Sequence, residues 1–338
     1  MALLLGSASA FGLDYDYTTD DEVIRDDILG SWVKIGVNPQ TAKPPYPIVN
    51  VYVDRGVSIT ASGYLTIYDN NSITFRGENT VKGGTVSVRK NSALHAEDTT
   101  FNINEITFMD GGSNSVLKNC TLNVGEFTIM TEDSGSLVLD NTKITTSDWF
   151  GGLLPHDGLF NITLKNGSTL NITDAPSYGF NAGANFRLEG GSSLRANSKI
   201  KSGSNIFVGS GCSFNINGEL ETTKTITVAP DATIDASSIS FEKLIVNFAE
   251  DFVEGESASV DLNSIFGSST TVVLTALNSG KEFSVSDSHS EWNLDSVTFG
   301  DDGNVSFVVG SQVVPEPATY AAIFGALALA FAAYRRRK

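Results

Sequence analysis

Side chains with the chemistry for catalysis or metal binding are few in this chain and widely separated. The three histidines, His95, His156 and His289, show no metal-ligand spacing and lie in no His-Glu-x-x-His helix. No Gly-x-Ser-x-Gly nucleophile elbow and no phosphate-cradling glycine loop is present. We therefore predict no catalytic residue, no metal ligand and no cofactor.

Acidic residues near the N-terminus offer a metal-binding alternative. Asp14, Asp16 and Asp20 carry the oxygen ligands that calcium prefers, but the stretch lacks the central glycine and the distal glutamate of an EF-hand loop. We interpret this stretch as a solvated acidic cap. Within it, residues 20–29 are expected to form a short helix with Thr19 or Asp20 as the N-cap.

One aromatic segment has the side chains to contact a ligand. Residues 146–158 include Trp149 and Phe150, followed by a Gly151-Gly152 pair. Sugars stack on aromatic faces and loops on repeat scaffolds often carry binding, so Trp149 and Phe150 are candidate glycan contacts. In the alternative interpretation, both rings fold back and cover a flank of the protein body.

The C-terminal tail has three parts in a fixed order. Residues 318–334 carry no charge and would span about 25 Å as a helix, near the lower limit for crossing a bilayer. A stiff polar segment precedes them, and a basic end, expected to remain cytoplasmic, follows them. The stiff segment is Val314, Pro315, Glu316 and Pro317, and the basic end is Arg335, Arg336, Arg337 and Lys338.

This order resembles the PEP-CTERM sorting signal of Gram-negative and related bacteria, with Pro315-Glu316-Pro317 in its motif and residues 335–338 as its basic end. The resemblance implies recognition by a membrane protease-transpeptidase of the exosortase type. It also implies cleavage near the motif and delivery to the cell surface or an extracellular polysaccharide matrix. It covers the tail alone, and such tails are attached to many unrelated bodies.

Composition narrows the partners of the body. The net charge is −17, and it is near −20 without residues 315–338, which disfavours nucleic acid and anionic lipid as partners. Such a surface is compatible with neutral glycans or divalent cations. At the N-terminus an apolar stub precedes Ala8-Ser9-Ala10, which is typical of a signal-peptidase site. We expect residues 1–10 to be a partial signal peptide.

From Val51 to about Phe248 the chain repeats itself. Each unit holds two alternating strands, a polar turn rich in Asn and Gly, and a small residue. This pattern predicts an all-β fold, a parallel β-solenoid (β-helix) with coils of about 20–24 residues. The alternative is an antiparallel sandwich or barrel. The aligned small residues are Ser72, Ser92, Ser115, Ser136, Ser168, Ser192, Cys212 and Ala232, with steps of 20, 23, 21, 32, 24, 20 and 20 residues.

The repeat makes three further predictions. The step of 32 indicates an inserted loop at residues 146–158. Cys120 and Cys212 lie about four coils apart, roughly 19 Å, so we expect free, buried thiols and not a disulfide. After residue 248, short strands at 272–274, 283–285, 297–299 and 305–309, with a hairpin turn at 300–304, predict a C-terminal β segment that covers the last coil.

These observations divide the chain into five parts. They are a partial signal peptide (1–10), an acidic N-terminal cap and linker (11–50), a β-solenoid (51–248), a C-terminal β segment (249–312) and a sorting signal with a transmembrane helix (313–338). The body resembles right-handed β-helix and autotransporter-like repeat proteins.

The predicted function is that of an exported structural or adhesive protein without enzymatic activity, membrane-anchored first and then at the cell surface or in the matrix. The expected partners are an exosortase-type protease, the membrane through the C-terminal helix before processing, and extracellular polysaccharide, but not nucleic acid. A polysaccharide-active β-helix enzyme (lyase or glycoside hydrolase) and a carbohydrate-binding module remain alternatives. Against an enzyme, the lysines and arginines of the coils do not recur at a common repeat position beside acids.

Overall fold

The computed structural model describes residues 13–109, 114–130, 134–152, 160–173, 180–182, 184–197, 199–202 and 204–313; for residues 149–152, 180–182 and 201–202 it describes the backbone alone. Over these ranges the chain is a parallel β-solenoid of about ten coils of about 21 residues, which confirms the predicted all-β architecture. No helix in the described ranges is long and apolar enough to cross a membrane. The predicted transmembrane segment, residues 318–334, lies outside them.

The elements follow one another in a regular order. The strands are β1 Asp14–Tyr17, β2 Glu22–Ile24, β3 Ile28–Ile35, β4 Asn50–Val53, β5 Ser58–Ile67, β6 Ser72–Arg76, β7 Thr80–Val88, β8 Ala93–Glu97, β9 Thr100–Met109, β10 Asn114–Lys118, β11 Thr121–Met130, β12 Gly135–Asp140, β13 Lys143–Gly152, β14 Phe160–Lys165, β15 Thr169–Ile172, β16 Phe180–Ala182, β17 Ala184–Leu188, β18 Ser193–Ala196, β19 Ile200–Ser202, β20 Ile206–Val208, β21 Ser213–Ile216, β22 Glu219–Thr222, β23 Thr225–Val228, β24 Thr233–Asp235, β25 Ser238–Ser240, β26 Lys243–Asn247, β27 Ser257–Asp261, β28 Glu282–Ser286, β29 Glu291–Phe299 and β30 Asn304–Gln312, and the helices are α1 Leu262–Phe266 and α2 Thr270–Asn278.

Successive coils contribute strands to the same sheets in parallel register. The first sheet has the order β1-β3-β5-β7-β9-β11-β13-β15-β18-β21-β24. The second has the order β2-β4-β6-β8-β10-β12-β14-β17-β20-β23-β26-β28-β29-β30-β27, and the third has the order β16-β19-β22-β25. The long strands β5 to β13 continue around a corner of the coil, whereas in the later coils the third sheet supplies that side as separate strands.

The core is a set of columns of inward side chains. Alternation along each strand turns every second residue inward, and parallel register places that residue above its equivalent in the previous coil. Val51, Ile73 and Leu94 form one such column, and none of them is exposed. Phenylalanines also stack in the interior, with ring centroids 5.8 Å apart for Phe75 and Phe101. Each coil therefore buries the apolar face of the next.

One corner of the coil carries a column of small residues that repair the hydrogen bonding of the turn. The hydroxyls of Thr142 and Ser168 donate to the carbonyls of Leu117 and Leu139 in the preceding coil, each over 2.9 Å. The steps along this column are 20, 21, 22, 26, 24, 20 and 20 residues. Its members, between the second and first sheets, are Asn79, Thr99, Cys120, Thr142, Ser168, Ser192, Cys212 and Ala232.

The predicted alignment of small residues is wrong in its first half. Ser92 lies at the corner that follows the first sheet, whereas Ser168 lies at the corner that precedes it. Both corners require a small residue after a polar turn, so the sequence pattern does not separate them. The step of 32 joins the two corners, and the coil that contains residues 146–158 is only a few residues longer than its neighbours.

The two cysteines occupy this corner column four coils apart, as predicted. Both are free and buried. Burial raises the pKa of the Cys120 thiol to about 11, and the Cys120 sulfur lies 3.2 Å from the carbonyl of Lys118. Both cysteines therefore act as small apolar corner residues.

The solenoid starts N-terminal to the predicted boundary at residue 51. Strand β1 pairs with β3, and β2 pairs with β4, both in parallel. The helix predicted at residues 20–29 is wrong, because β2 and the start of β3 occupy this stretch. Their backbone groups join the ladders of the following coil, and this pairing outweighs the local helix-start signal. The proline-rich residues 38–47 form a loop within a coil.

Helices and antiparallel strands close the C-terminal end. The strand predicted at residues 272–274 is wrong, because α2 buries Val273, Leu274 and Leu277 on one face at helical spacing. Helices α1 and α2 contact β24 and β25, and the Ser269 hydroxyl donates to the carbonyl of Ala236. The other predicted strands are confirmed in β28, β29 and β30, as is the hairpin turn at residues 300–304.

A further corner, inside the long strands, tests the packing of one coil on the next. A Cβ atom at Gly84 would lie within bonding range of the Gly63 carbonyl of the preceding coil. We predict that Gly84→Ala lowers the free energy of unfolding by about 3 kcal/mol, because neither backbone can retreat. Gly167→Ala is the control: its φ is +74° but nothing lies within 4 Å of the new Cβ, so backbone strain alone costs about 1–2 kcal/mol. Denaturant titration measures both, and an equal or smaller loss for Gly84→Ala would contradict this account.

Candidate functional site

The sequence-predicted sorting residues lie outside the described ranges. They are Val314, Pro315, Glu316, Pro317, Arg335, Arg336, Arg337 and Lys338. The last described residue, Val313, donates its backbone N–H to the carbonyl of Glu291 over 2.8 Å. The folded body therefore extends to the residue immediately before the tail.

Residues 149 and 150 belong to a strand at the level of the backbone. Within the predicted insertion, residues 146–152 continue β13, where Trp149 pairs with Glu126 and Phe150 with Phe127. The prediction of a loop is therefore wrong for this part of the segment, because the strand keeps its register with β11. Their side chains lie outside the description, so the glycan-contact hypothesis for Trp149 and Phe150 remains a prediction.

The same register reveals an outward row along the first sheet that the sequence does not show. The row is Trp32, Tyr64, Thr85, Glu105 and Glu126, from consecutive coils. Trp32 and Tyr64 are 40% and 43% exposed, and their ring centroids lie 4.9 Å apart. We call these five residues the aromatic-acidic row. Its members are 20 to 32 residues apart in sequence, and only the stacking of coils brings them together.

A second outward row carries small hydroxyl side chains. Thr66, Ser87, Thr107 and Thr128 are register neighbours, and each is only 4–5% exposed although its strand position faces outward. We call them the hydroxyl row. It lies two residues along the strands from the aromatic-acidic row, and the Thr107 hydroxyl donates to Glu105 Oε1 over 2.6 Å. Together the two rows form what we call the axial strip.

Like charges meet in this strip. Glu105 and Glu126 are register neighbours on strands that lie about 4.8 Å apart. Partial burial, followed by the nearby carboxylates of Glu105 and Asp148, raises the pKa of Glu126 above its ordinary value. Glu105 accepts hydrogen bonds from the hydroxyls of Thr85 and Thr107, over 3.0 and 2.6 Å. One carboxylate is therefore held by donors while its neighbour is more easily protonated.

The second sheet shows the opposite arrangement. Its outward charged column alternates in sign through Arg76, Glu97, Lys118, Asp140 and Lys165. Lys118 lies 2.7 Å from Glu97, and Lys165 lies 3.5 Å from Asp140. Opposite charges on adjacent coils relieve the repulsion that parallel register would otherwise produce. The pair Glu105 and Glu126 departs from this pattern.

A groove near the C-terminal end is a second concave surface. Its volume is about 900 Å³, and it lies between the turns of the late coils and the loop after β26. Phe207, Phe248 and Phe252 line it. Two of its carboxylates already have partners, because Asp231 accepts from Ser210 over 2.6 Å and Asp251 accepts from Ser288 over 2.7 Å. These contacts favour a packing role for the groove.

Asp251, Asp287 and His289 have the side-chain types of a metal site and lie within 4.8 Å of one another. The geometry favours a structural clamp instead. Asp287 accepts N–H groups from His289 (2.8 Å), Ser290 (2.7 Å), the Trp292 indole (2.7 Å) and Phe252 (3.2 Å). A cation would have to displace these donors, which fix the loop after β28 against the loop after β26.

Comparisons with protein-family models, with curated proteins and with solved structures found no match to this chain. The candidate site is therefore argued from the geometry of the described residues alone.

The Asp287 clamp predicts an acid-sensitive contribution to stability. Burial alone would raise the pKa of Asp287, but the N–H donors outweigh burial and lower the pKa from 3.8 to about 2. The folded-state pKa lies below the unfolded one, so the contribution is complete above about pH 4 and is lost as the pH falls towards 2. In Asp287→Asn this part of the pH dependence should be absent, and the melting temperature at pH 7 should be several degrees lower. Melting curves between pH 7 and 2 test this, with the exposed Asp301→Asn as control; equal behaviour of both variants would contradict the clamp.

Proposed function

We propose that this chain is an exported structural or adhesive protein of the cell surface or extracellular matrix, delivered by a PEP-CTERM-type sorting signal. The observation that carries the proposal is the ordered tail, in which Pro315-Glu316-Pro317 precedes an uncharged segment and four basic residues. An exosortase-type protease is the processing partner, and the membrane holds the tail through residues 318–334 before processing.

The architecture of the body supports this assignment. A solenoid of about ten coils is a rigid rod with long, regular outer faces, as surface and matrix proteins use for extended contacts. The last strand, β30, is held to both β29 and β27, so the C-terminal end of the body is tied into its largest sheet. A tail that starts directly after this sheet would attach a firmly folded body to the membrane.

The sorting motif makes a direct prediction. In a bacterium with an exosortase, replacing both Pro315 and Pro317 with Ala should leave the unprocessed chain in the membrane fraction, because the stiff motif that the protease reads is lost. Immunoblots of cell fractions measure this. The matched control replaces Pro39 and Pro47, two prolines of the loop between β3 and β4, and should be processed normally. Mature protein of unchanged size and location from the tail variant would refute the sorting assignment.

A second candidate function, a polysaccharide-active enzyme, is favoured by one specific observation. The register neighbours Glu105 and Glu126 face outward on adjacent coils, and carboxyl groups of retaining glycosidases lie about 5–5.5 Å apart. The raised pKa of Glu126 would suit a general acid, with Glu105 as its ionised partner. This carboxylate pair is the arrangement that the sequence did not reveal.

Release of reducing ends from a panel of bacterial and algal polysaccharides separates the two functions. For the structural and adhesive function we expect no turnover by the purified protein. Steady turnover that Glu126→Gln abolishes, and that the exposed control Glu254→Gln retains, would instead establish the enzyme.

A further inference from the structure

We infer that the axial strip binds a linear, uncharged polysaccharide that lies lengthwise along the solenoid. This inference rests on the proposed function and names the matrix component that the body contacts. The strip combines a platform of exposed rings, a line of buried hydroxyls and a pair of carboxylates in one outward face. Each feature repeats at the spacing of the coils, as expected for recognition of a repeating polymer.

The exposed rings supply the apolar contact. Trp32 and Tyr64 project from adjacent coils, and the 49° angle between their planes leaves ring surface on both open to solvent. The pyranose ring has an apolar face that packs on such surfaces, and a neighbouring aromatic pair offers contact to successive units. Large exposed rings without a protein partner mark binding surfaces more often than scattered aliphatic residues do.

The polar groups specify an uncharged, hydroxyl-rich partner. Glu105 and Glu126 accept hydrogen bonds, and sugar hydroxyls are donors that do not add a like charge. A polyanion would be repelled by these carboxylates and by the net charge of the chain. On the far side of the hydroxyl row, next to Ser87, the Arg89 Nε–H is buried and has no acceptor among the described residues. A sugar oxygen is a suitable acceptor for such a donor.

The length of the strip sets the length of its ligand. From Trp32 to Glu126 the aromatic-acidic row crosses four coil steps, about 19 Å at 4.8 Å per step. A single sugar would touch only one or two coils, whereas a longer chain engages further coils without a new loss of overall motion. The affinity should therefore rise with chain length until the ligand spans the strip.

The experiment measures the dissociation constant of the purified full chain in detergent for cello-oligosaccharides and malto-oligosaccharides of increasing length. The expected result is a Kd that falls with length and levels off when the ligand spans about 19 Å. Replacing Trp32 and Tyr64 together with Ala should raise Kd at least about tenfold, the usual effect of removing an aromatic anchor. Tyr52→Ala is the matched control, since Tyr52 faces outward on the second sheet beneath Arg76.

A further variant covers the case in which the double substitution unfolds the chain. Glu126 is exposed, so Glu126→Arg should fold and should block the strip with a long side chain. Affinity that is independent of ligand length, that survives Glu126→Arg, or that is higher for sulfated dextran would overturn the inference, as would no measurable binding to either series. Processing of the Pro315 and Pro317 variants is scored separately, so failure of the strip leaves the sorting assignment intact, and the reverse also holds.

Discussion

In-register stacking of one coil on the next is the constraint on which this structure depends. A single coil of about 21 residues cannot bury its own apolar face, so its inward residues are covered only by the coils above and below. The backbone ladders between coils fix the register, and a shift of one residue would turn Ile73 and Leu94 out of the core. The corners must then accept small residues, and the C-terminal end must be closed, which α1 and α2 do.

The same register controls the chemistry of the surface. A residue type that is neutral when isolated becomes a column when it recurs, so equal charges at equivalent positions repel each other along the axis. The second sheet solves this with alternating signs, as between Glu97 and Lys118. Each exposed pair contributes only about 0–1 kcal/mol, so the arrangement chiefly avoids repulsion. On the first sheet, Glu105 and Glu126 accept the repulsion, and the shift in the pKa of Glu126 reflects it.

The sequence predicted the features that repeat and missed those that depend on where repeats meet. Alternation and turn spacing were sufficient for the solenoid, for the free cysteines and for the hairpin at residues 300–304. They could not tell Ser92 from Ser168, because two corners impose the same small-residue requirement. The carboxylates at residues 20–27 satisfied a helix-start pattern, but the ladder with the next coil decided for strands. In 272–274, a short apolar run fits either a strand or a helix, and burial of Val273 and Leu277 on one face decided for the helix.

The axial strip was hidden from the sequence for the same reason that makes it interesting. Trp32 and Tyr64 are 32 residues apart because the loop between β3 and β4 lengthens that coil, so no fixed period connects them. Their contact exists only in the stacked state, in which burial of either ring would require a covering element. The first sheet instead keeps both rings at least 40% exposed and places two unneutralised carboxylates in the same row. A rod that needed only stability could extend the alternating charges of its second sheet to its first. Exposed rings and unrelieved repulsion on one face are better explained by a partner that contacts that face along its length.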